Sequence, residues 1–198
     1  MISISSIQFH TNIFSMKKRD AIEKIKTNPY IEDVIIQRKL PNIIEISVKE
    51  RYKKFNVEFL NGYAYINNQG YILEISEQRV SECPIIKGIS TEETQIVEGY
   101  RLNTQDLERL GIVIQIMDIC KNYELDTKIT SIDITNRTNY IIYMEEEKKF
   151  IHLGDESNLS NKMLYVVAIL EQTKEQEGQI FVNGNLNSGF QAYFKPKI

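Results

Sequence analysis

Two histidines and two cysteines are the side chains with the widest chemical reach in this chain of 198 residues: His10, His152, Cys83 and Cys120. A tetrahedral zinc site would need all four, and none stands at a ligand spacing such as C-x-x-C or H-x-x-x-H. A Ser/His/Asp site would have to use one of the two histidines. His152 lies between Ile151 and Leu153 in a predicted strand, and no nucleophile is placed by sequence within hydrogen-bond reach of it. Gly184 and Gly189 have the gap of a phosphate loop, but Phe190 and Gln191 occupy the positions of Lys and Ser/Thr. No G-x-S-x-G elbow is present. Glu145-Glu146-Glu147 next to two lysines reads as a solvated turn, because adjacent acids on a hairpin tip point in different directions. Cys83 precedes a proline in a loop and Cys120 falls on the apolar side of a helix, so both are expected as unpaired thiols, Cys120 in the core. No catalytic constellation, metal set or cofactor loop emerges.

Composition narrows the remaining classes. The chain is 42% hydrophobic and 26% charged, with a net charge of −3. That is enough apolar content for a packed core and lacks the basic excess of a nucleic-acid binder. The longest apolar run, Leu164 to Leu170, is far shorter than the roughly 18 residues of a membrane-spanning helix.

The elements that would position any site fall into two regions. In residues 1–51, Ser15 is placed to cap a helix over about Met16–Thr27 with Ala21, Ile22 and Ile25 as its apolar stripe. Asn28-Pro29 ends it. Strands follow at about Glu32–Lys39 and Ile43–Arg51, joined by Leu40-Pro41-Asn42, and the second alternates Ile44, Ile46 and Val48 against Glu45, Ser47 and Lys49. Residues 52–198 read as short strands with two longer helices. Tyr63–Ile66 and Tyr71–Ile75 flank a turn in which Gly70 takes the positive-φ position, and Cys83 to Gly88 reads as irregular. Thr104 is placed to cap a helix with Leu107, Leu110, Ile114 and Met117 on one face, widened by Val113 and Cys120, and Gly111 within it suggests close packing against a neighbour. Strands are predicted near 131–135, 140–145 and 149–153, then a helix capped by Ser157 or Asn158 and two closing strands, 179–182 and 190–195. The fold class is therefore α+β: a helix on a hairpin, followed by a mixed or antiparallel β domain.

The last strand is the remaining candidate site. Phe190, Ala192 and Phe194 share one face, and Gln191, Tyr193 and Lys195 the other. A terminal strand on a sheet edge offers its unpaired N–H and C=O groups to a foreign strand, or it simply closes the core with Pro196 and the lysines blunting aggregation. Residue chemistry alone leaves both readings open.

A series of segments then resembles one family. Asn12-Ile13-Phe14, Asn28 to Val34 and Arg38 to Arg51 resemble the POTRA domain of the FtsQ/DivIB cell-division proteins. Ala64 to Gly70 is similar to that family's V-D-x-x-G hairpin with Asn67 in place of Asp, and Pro84 to Gly88 to its L-P-x-I-x-G loop with Cys83 in place of a hydrophobic residue. Leu153-Gly154, Asn161-Lys162-Met163 and Phe194-Lys195-Pro196 resemble the end of its β domain. The resemblance implies a POTRA unit over 1–51, a β domain over 52–198, and a non-enzymatic scaffold of the bacterial divisome outside the cytoplasmic membrane at the division septum. It implies partners of the DivIC/FtsB and FtsL types, bound by strand addition at Phe190, Gln191, Ala192, Tyr193, Phe194 and Lys195, with Tyr165 and Lys162 on the preceding helix. The family carries a membrane-spanning helix and a first POTRA strand ahead of the segment like Asn12-Ile13-Phe14. Eleven residues precede it here, so an anchor upstream of this chain and an N-terminally incomplete POTRA unit are expected. Two other readings are a secretion or assembly module, which would carry tandem POTRA copies or a barrel, and a small wall hydrolase built on His152. No second copy of the Leu40-Pro41-Asn42 hairpin occurs.

Overall fold

A computed structural model describes residues 12–79, 82–184 and 191–197. The first unit is a helix, α1 (Lys18–Lys26), on a two-stranded antiparallel sheet of β1 (Ile31–Lys39) and β2 (Ile43–Glu50). Ala21 and Ile25 of the helix meet Ile31, Val34 and Ile36 of β1 in a small separate core. The apolar stripe of the helix and the alternation of the strand are the two periodicities that let these faces meet. Helix α1 starts two residues later than the predicted Met16. Ser15 does not cap it but closes a turn, its hydroxyl and N–H both donating to the Asn12 carbonyl.

The second unit is one large mixed sheet with the helices α2 (Thr104–Lys121) and α3 (Leu159–Gln172) packed on it. Its strands are β3 (Phe55–Phe59), β4 (Gly62–Ile66), β5 (Ile72–Ser76), β6 (Ile85–Lys87), β7 (Ser131–Asp133), β8 (Tyr140–Met144), β9 (Lys149–Gly154), β10 (Gly178–Phe181) and β11 (Tyr193–Pro196). Their order across the sheet is β11-β10-β9-β8-β7-β6-β3-β4-β5. The pairs β3/β6, β6/β7 and β9/β10 are parallel and the rest antiparallel. The register aligns one apolar row from β4 to β11: Ala64, Val57, Ile86, Ile132, Ile142, Ile151, Ile180 and finally Phe194 on the edge. Directly opposed residues share a face, so this row forms the floor on which α2 and α3 lie. Cys120 of α2 and Met163 of α3 touch through their sulfurs at 3.9 Å. Both cysteines are free thiols, Cys120 buried, as the sequence indicated.

Several local expectations shift. Cys83–Gly88, read as irregular, contains β6 near the centre of the sheet, and β3 is a strand that the sequence pattern did not reveal. The cap of α2 is Asn103, whose side chain accepts from the Asp106 N–H at 2.8 Å, one residue before Thr104. Its buried face runs through Leu110, Val113, Ile116 and Cys120, with Leu107, Ile114 and Met117 only partly covered. Gly111 faces outward, and a Cβ at this position would meet nothing within 4 Å, so close packing is not its reason. Gly70 does adopt φ +76°, and a side chain there would collide with Leu107.

The two units meet at a polar and aromatic joint. The Tyr71 ring lies under Arg51 at 4.0 Å and under Arg101 at 5.1 Å. Arg51 also donates to the Pro29 and Ile31 carbonyls of the first unit. Beside it, the Tyr30 hydroxyl donates to Glu74 at 2.5 Å, and Lys53 pairs with the same carboxylate at 2.9 Å while standing 4.1 Å from the Tyr65 ring.

Candidate functional site

The two margins of the large sheet differ. Along β5, the following segment docks by backbone: Ile72 N–H donates to the Tyr100 carbonyl and Gly99 N–H to the Ile72 carbonyl, both at 2.8 Å. Glu98 accepts from the Ile75 N–H, and Tyr71 bridges to Arg101. At the other margin, no strand pairs with the outer side of β11 among the described residues.

The orientation of β11 follows from its register. Phe181 opposes Tyr193, Ile180 opposes Phe194, Gln179 opposes Lys195, and Lys197 N–H donates to the Glu177 carbonyl at 2.9 Å. Hydrogen-bonded pairs alternate along an antiparallel ladder. Residues 193, 195 and 197 therefore turn their backbone groups toward β10, and Phe194 turns its N–H and C=O outward. Gln191 and Ala192 lie just before the strand, and Phe190 lies outside the described residues. Ala192 and Phe194 pack against the core, while Gln191, Tyr193 and Lys195 are exposed.

Behind this margin, the sheet face turned away from α2 and α3 carries stacked rings. His152 lies 4.4 Å from Phe181 with only 4° between the planes, and Phe181 lies 4.9 Å from Tyr193. Tyr143 and Phe150 stack at 4.5 Å in the neighbouring row. These rings stack face to face and partly cover one another. A groove of about 700 Å³ runs beside them, with Tyr143, Phe150, Gln179 and Lys195 in its lining and the 2.5 Å Lys148–Glu177 ion pair at its rim. The hydrogen bond and charge of Lys148 hold the Glu177 carboxyl below its usual range.

Gly178 sets how close β11 can come. A Cβ there would overlap the Lys195 carbonyl oxygen and stand 2.8 Å from the Phe194 ring. Gly178, Phe181 and His152 were missed as parts of this site. The outward alternation of Phe150, His152, Gln179 and Phe181 was the available signal, but it has meaning only once β9 and β10 are known to be neighbours.

His152 fits the ladder. Its Nε2 is 3.0 Å from the Gln179 side-chain oxygen and its Nδ1 3.4 Å from the Asn139 amide. His10 lies outside the described residues. The two residues expected on the preceding helix are placed differently from each other. Tyr165 is half exposed on α3 beside exposed Leu164. Lys162 is buried, and its ammonium donates to the Asp155 carbonyl at 2.9 Å and carboxylate at 3.1 Å. Glu147 of the acidic turn pairs with Lys128 at 2.8 Å.

Comparison with known proteins matches residues 1–51 to the POTRA domain, FtsQ-type, and residues 56–181 to FtsQ/DivIB, C-terminal related. The chain is 31% identical over 191 residues to the cell division protein DivIB of Clostridium botulinum strain Hall, covering 94% of this chain and 73% of that one. The chain belongs to the FtsQ/DivIB family. DivIB of Clostridium tetani is 30% identical over 90% of this chain and 66% of its own length. DivIB of Staphylococcus aureus is 19% identical over 98% of this chain and 41% of its own. The FtsQ/DivIB assignment gives the chain a role in cell division, within a family of membrane-associated division proteins. No helix among the described residues is long and apolar enough to cross a membrane.

Proposed function

We propose that this FtsQ/DivIB protein is a non-enzymatic divisome scaffold that binds a DivIC/FtsB-type partner, with an FtsL-type protein in the same assembly, by adding a partner strand to β11. The division of labour runs between residues 1–51, the POTRA unit, and 52–198, which carry the receiving margin. The observation that supports this reading is the asymmetry of the sheet: β5 is covered by the segment around Gly99–Arg101, whereas β11 turns backbone groups outward. The Phe194 N–H and C=O, the Ala192 groups that continue the alternation, and the Pro196 carbonyl supply the pairings. Each adds about 0.5–1.5 kcal/mol net. The partner residue opposite Phe194 extends the buried apolar row and is itself apolar. Together these contributions correspond to roughly micromolar binding after the costs of association. Gln191, Tyr193 and Lys195 present the exposed flank, and Tyr165 adds a contact from α3. Lys162 supports the start of that helix through Asp155 and makes no direct contact.

Proline on an edge strand is tolerated where its missing N–H faces outward. Ala192→Pro therefore leaves the fold intact and weakens binding of the extracytoplasmic part of DivIC/FtsB by at least about tenfold, the loss of one or two pairings and the obstruction of the next. Calorimetric titration of the purified chain measures this. Unchanged affinity in a folded Ala192→Pro protein refutes the assignment of the site.

A further inference from the structure

The first unit ends in an apolar tip that its own core does not use. Phe14 is 65% exposed, Leu40 72% and Ile43 54%. They converge on one end of the unit. Arg38 donates to the Ile13 and Met16 carbonyls and stands 5.9 Å from the Phe14 ring, which brings the turn before α1 against the end of β1. Leu40 opens the β1–β2 turn, and Ile43 pairs with Lys39 across it. Cations share this end of the unit with them. Lys17 and Lys18 begin α1 at this same end and make no ion pair among the described residues, while Arg19 and Lys39 are balanced by Glu23 and Glu45. With Asp20 as the remaining nearby acid, the tip has an excess of positive charge.

We propose that this tip inserts into the headgroup layer of an anionic lipid surface, with Phe14, Leu40 and Ile43 in the acyl boundary and Lys17 and Lys18 among the phosphates. The chemistry separates lipid from a protein partner. Apolar side chains that project from a convex turn suit a deformable layer, whereas lysine is depleted in the centre of protein interfaces. Two unpaired ammonium groups at the base of an apolar tip are the arrangement that an anionic leaflet attracts. The contact is separate from any strand addition at β11, which lies at the far margin of the large sheet.

The test is co-sedimentation of the purified chain with vesicles of equal phosphatidylglycerol and phosphatidylcholine, and with phosphatidylcholine alone. The chain sediments with the anionic vesicles and much less with the neutral ones. Lys17→Glu with Lys18→Glu weakens this binding by about 30-fold or more, and 0.5 M salt weakens it in the same sense. Phe14→Ser, Leu40→Ser and Ile43→Ser together abolish it with circular dichroism unchanged, while Leu60→Ser, at an even more exposed apolar residue of the large unit, leaves it intact. Absence of binding to anionic vesicles, or binding that survives the triple substitution, overturns the proposal. So does a photo-crosslinker at position 14 that captures only protein in cells.

Discussion

Gly111 sits mid-helix on the water side of α2, and open space surrounds the position a side chain would take. A helical glycine costs about 1 kcal/mol relative to alanine. Gly111→Ala is therefore expected to raise the unfolding free energy by about 0.5–1 kcal/mol, read from the midpoint of urea unfolding with the slope unchanged. The sequence suggested packing at this residue because a glycine in an apolar helix has two explanations, contact or mere tolerance. Only the rotation of the helix on its sheet separates them. Asp155 makes a second prediction. Hydrogen bonding from Ser157, and then Lys162, lowers its carboxyl to about 2. A carboxyl lowered in the folded state contributes stability above its ordinary value near 3.8, and that stability is lost as pH falls toward 2. Thermal melts of wild type and Asp155→Asn should differ at pH 6 and converge near pH 2. Because the Asp155 side chain is 56% exposed, solvent keeps the difference at about 1 kcal/mol or less.

Strand β11 depends on a residue outside itself. Gly178→Val drives a branched side chain into the Lys195 carbonyl and the Phe194 ring, so β11 leaves β10 while the rest of the sheet stays folded. Hydrogen exchange of the amides of 193, 195 and 197 should accelerate by at least about tenfold, with those of Ile142 and Ile151 unaffected. Element by element, legibility tracked length and periodicity. The long alternation of β2 and the stripe of α1 were visible because several turns or residues repeat the same signal. β6 is three residues, Ile85–Lys87, flanked by Pro84 and Gly88, and three residues define no period. Its central place comes from parallel pairing with β3 and β7, which is a property of distant neighbours. The faces of the last strand were legible from its alternation, but its position on the margin rests on the order of the whole sheet.

At the scale of the molecule, the joint around Tyr71 determines whether the two units turn together. Each cation over an aromatic ring contributes about 0.5–2 kcal/mol, and the Tyr30–Glu74–Lys53 cluster adds hydrogen bonds across the same boundary. Linked domains otherwise move relative to one another by default. Tyr71→Ala with Tyr30→Phe should leave both cores folded and free the first unit: NMR relaxation of residues 12–51 then reports a shorter correlation time than that of the large sheet, where the wild type gives one value. This joint was invisible in the sequence because Arg51, Tyr71 and Arg101 are far apart along the chain. The closure of β5 has an effect of its own. A slab with two raw sides can polymerise like tiles laid in a row, each copy exposing the next place for growth. Here one side is already sealed by the chain's own loop, so copies that meet through this slab stop at a back-to-back couple and cannot run on into a fibre.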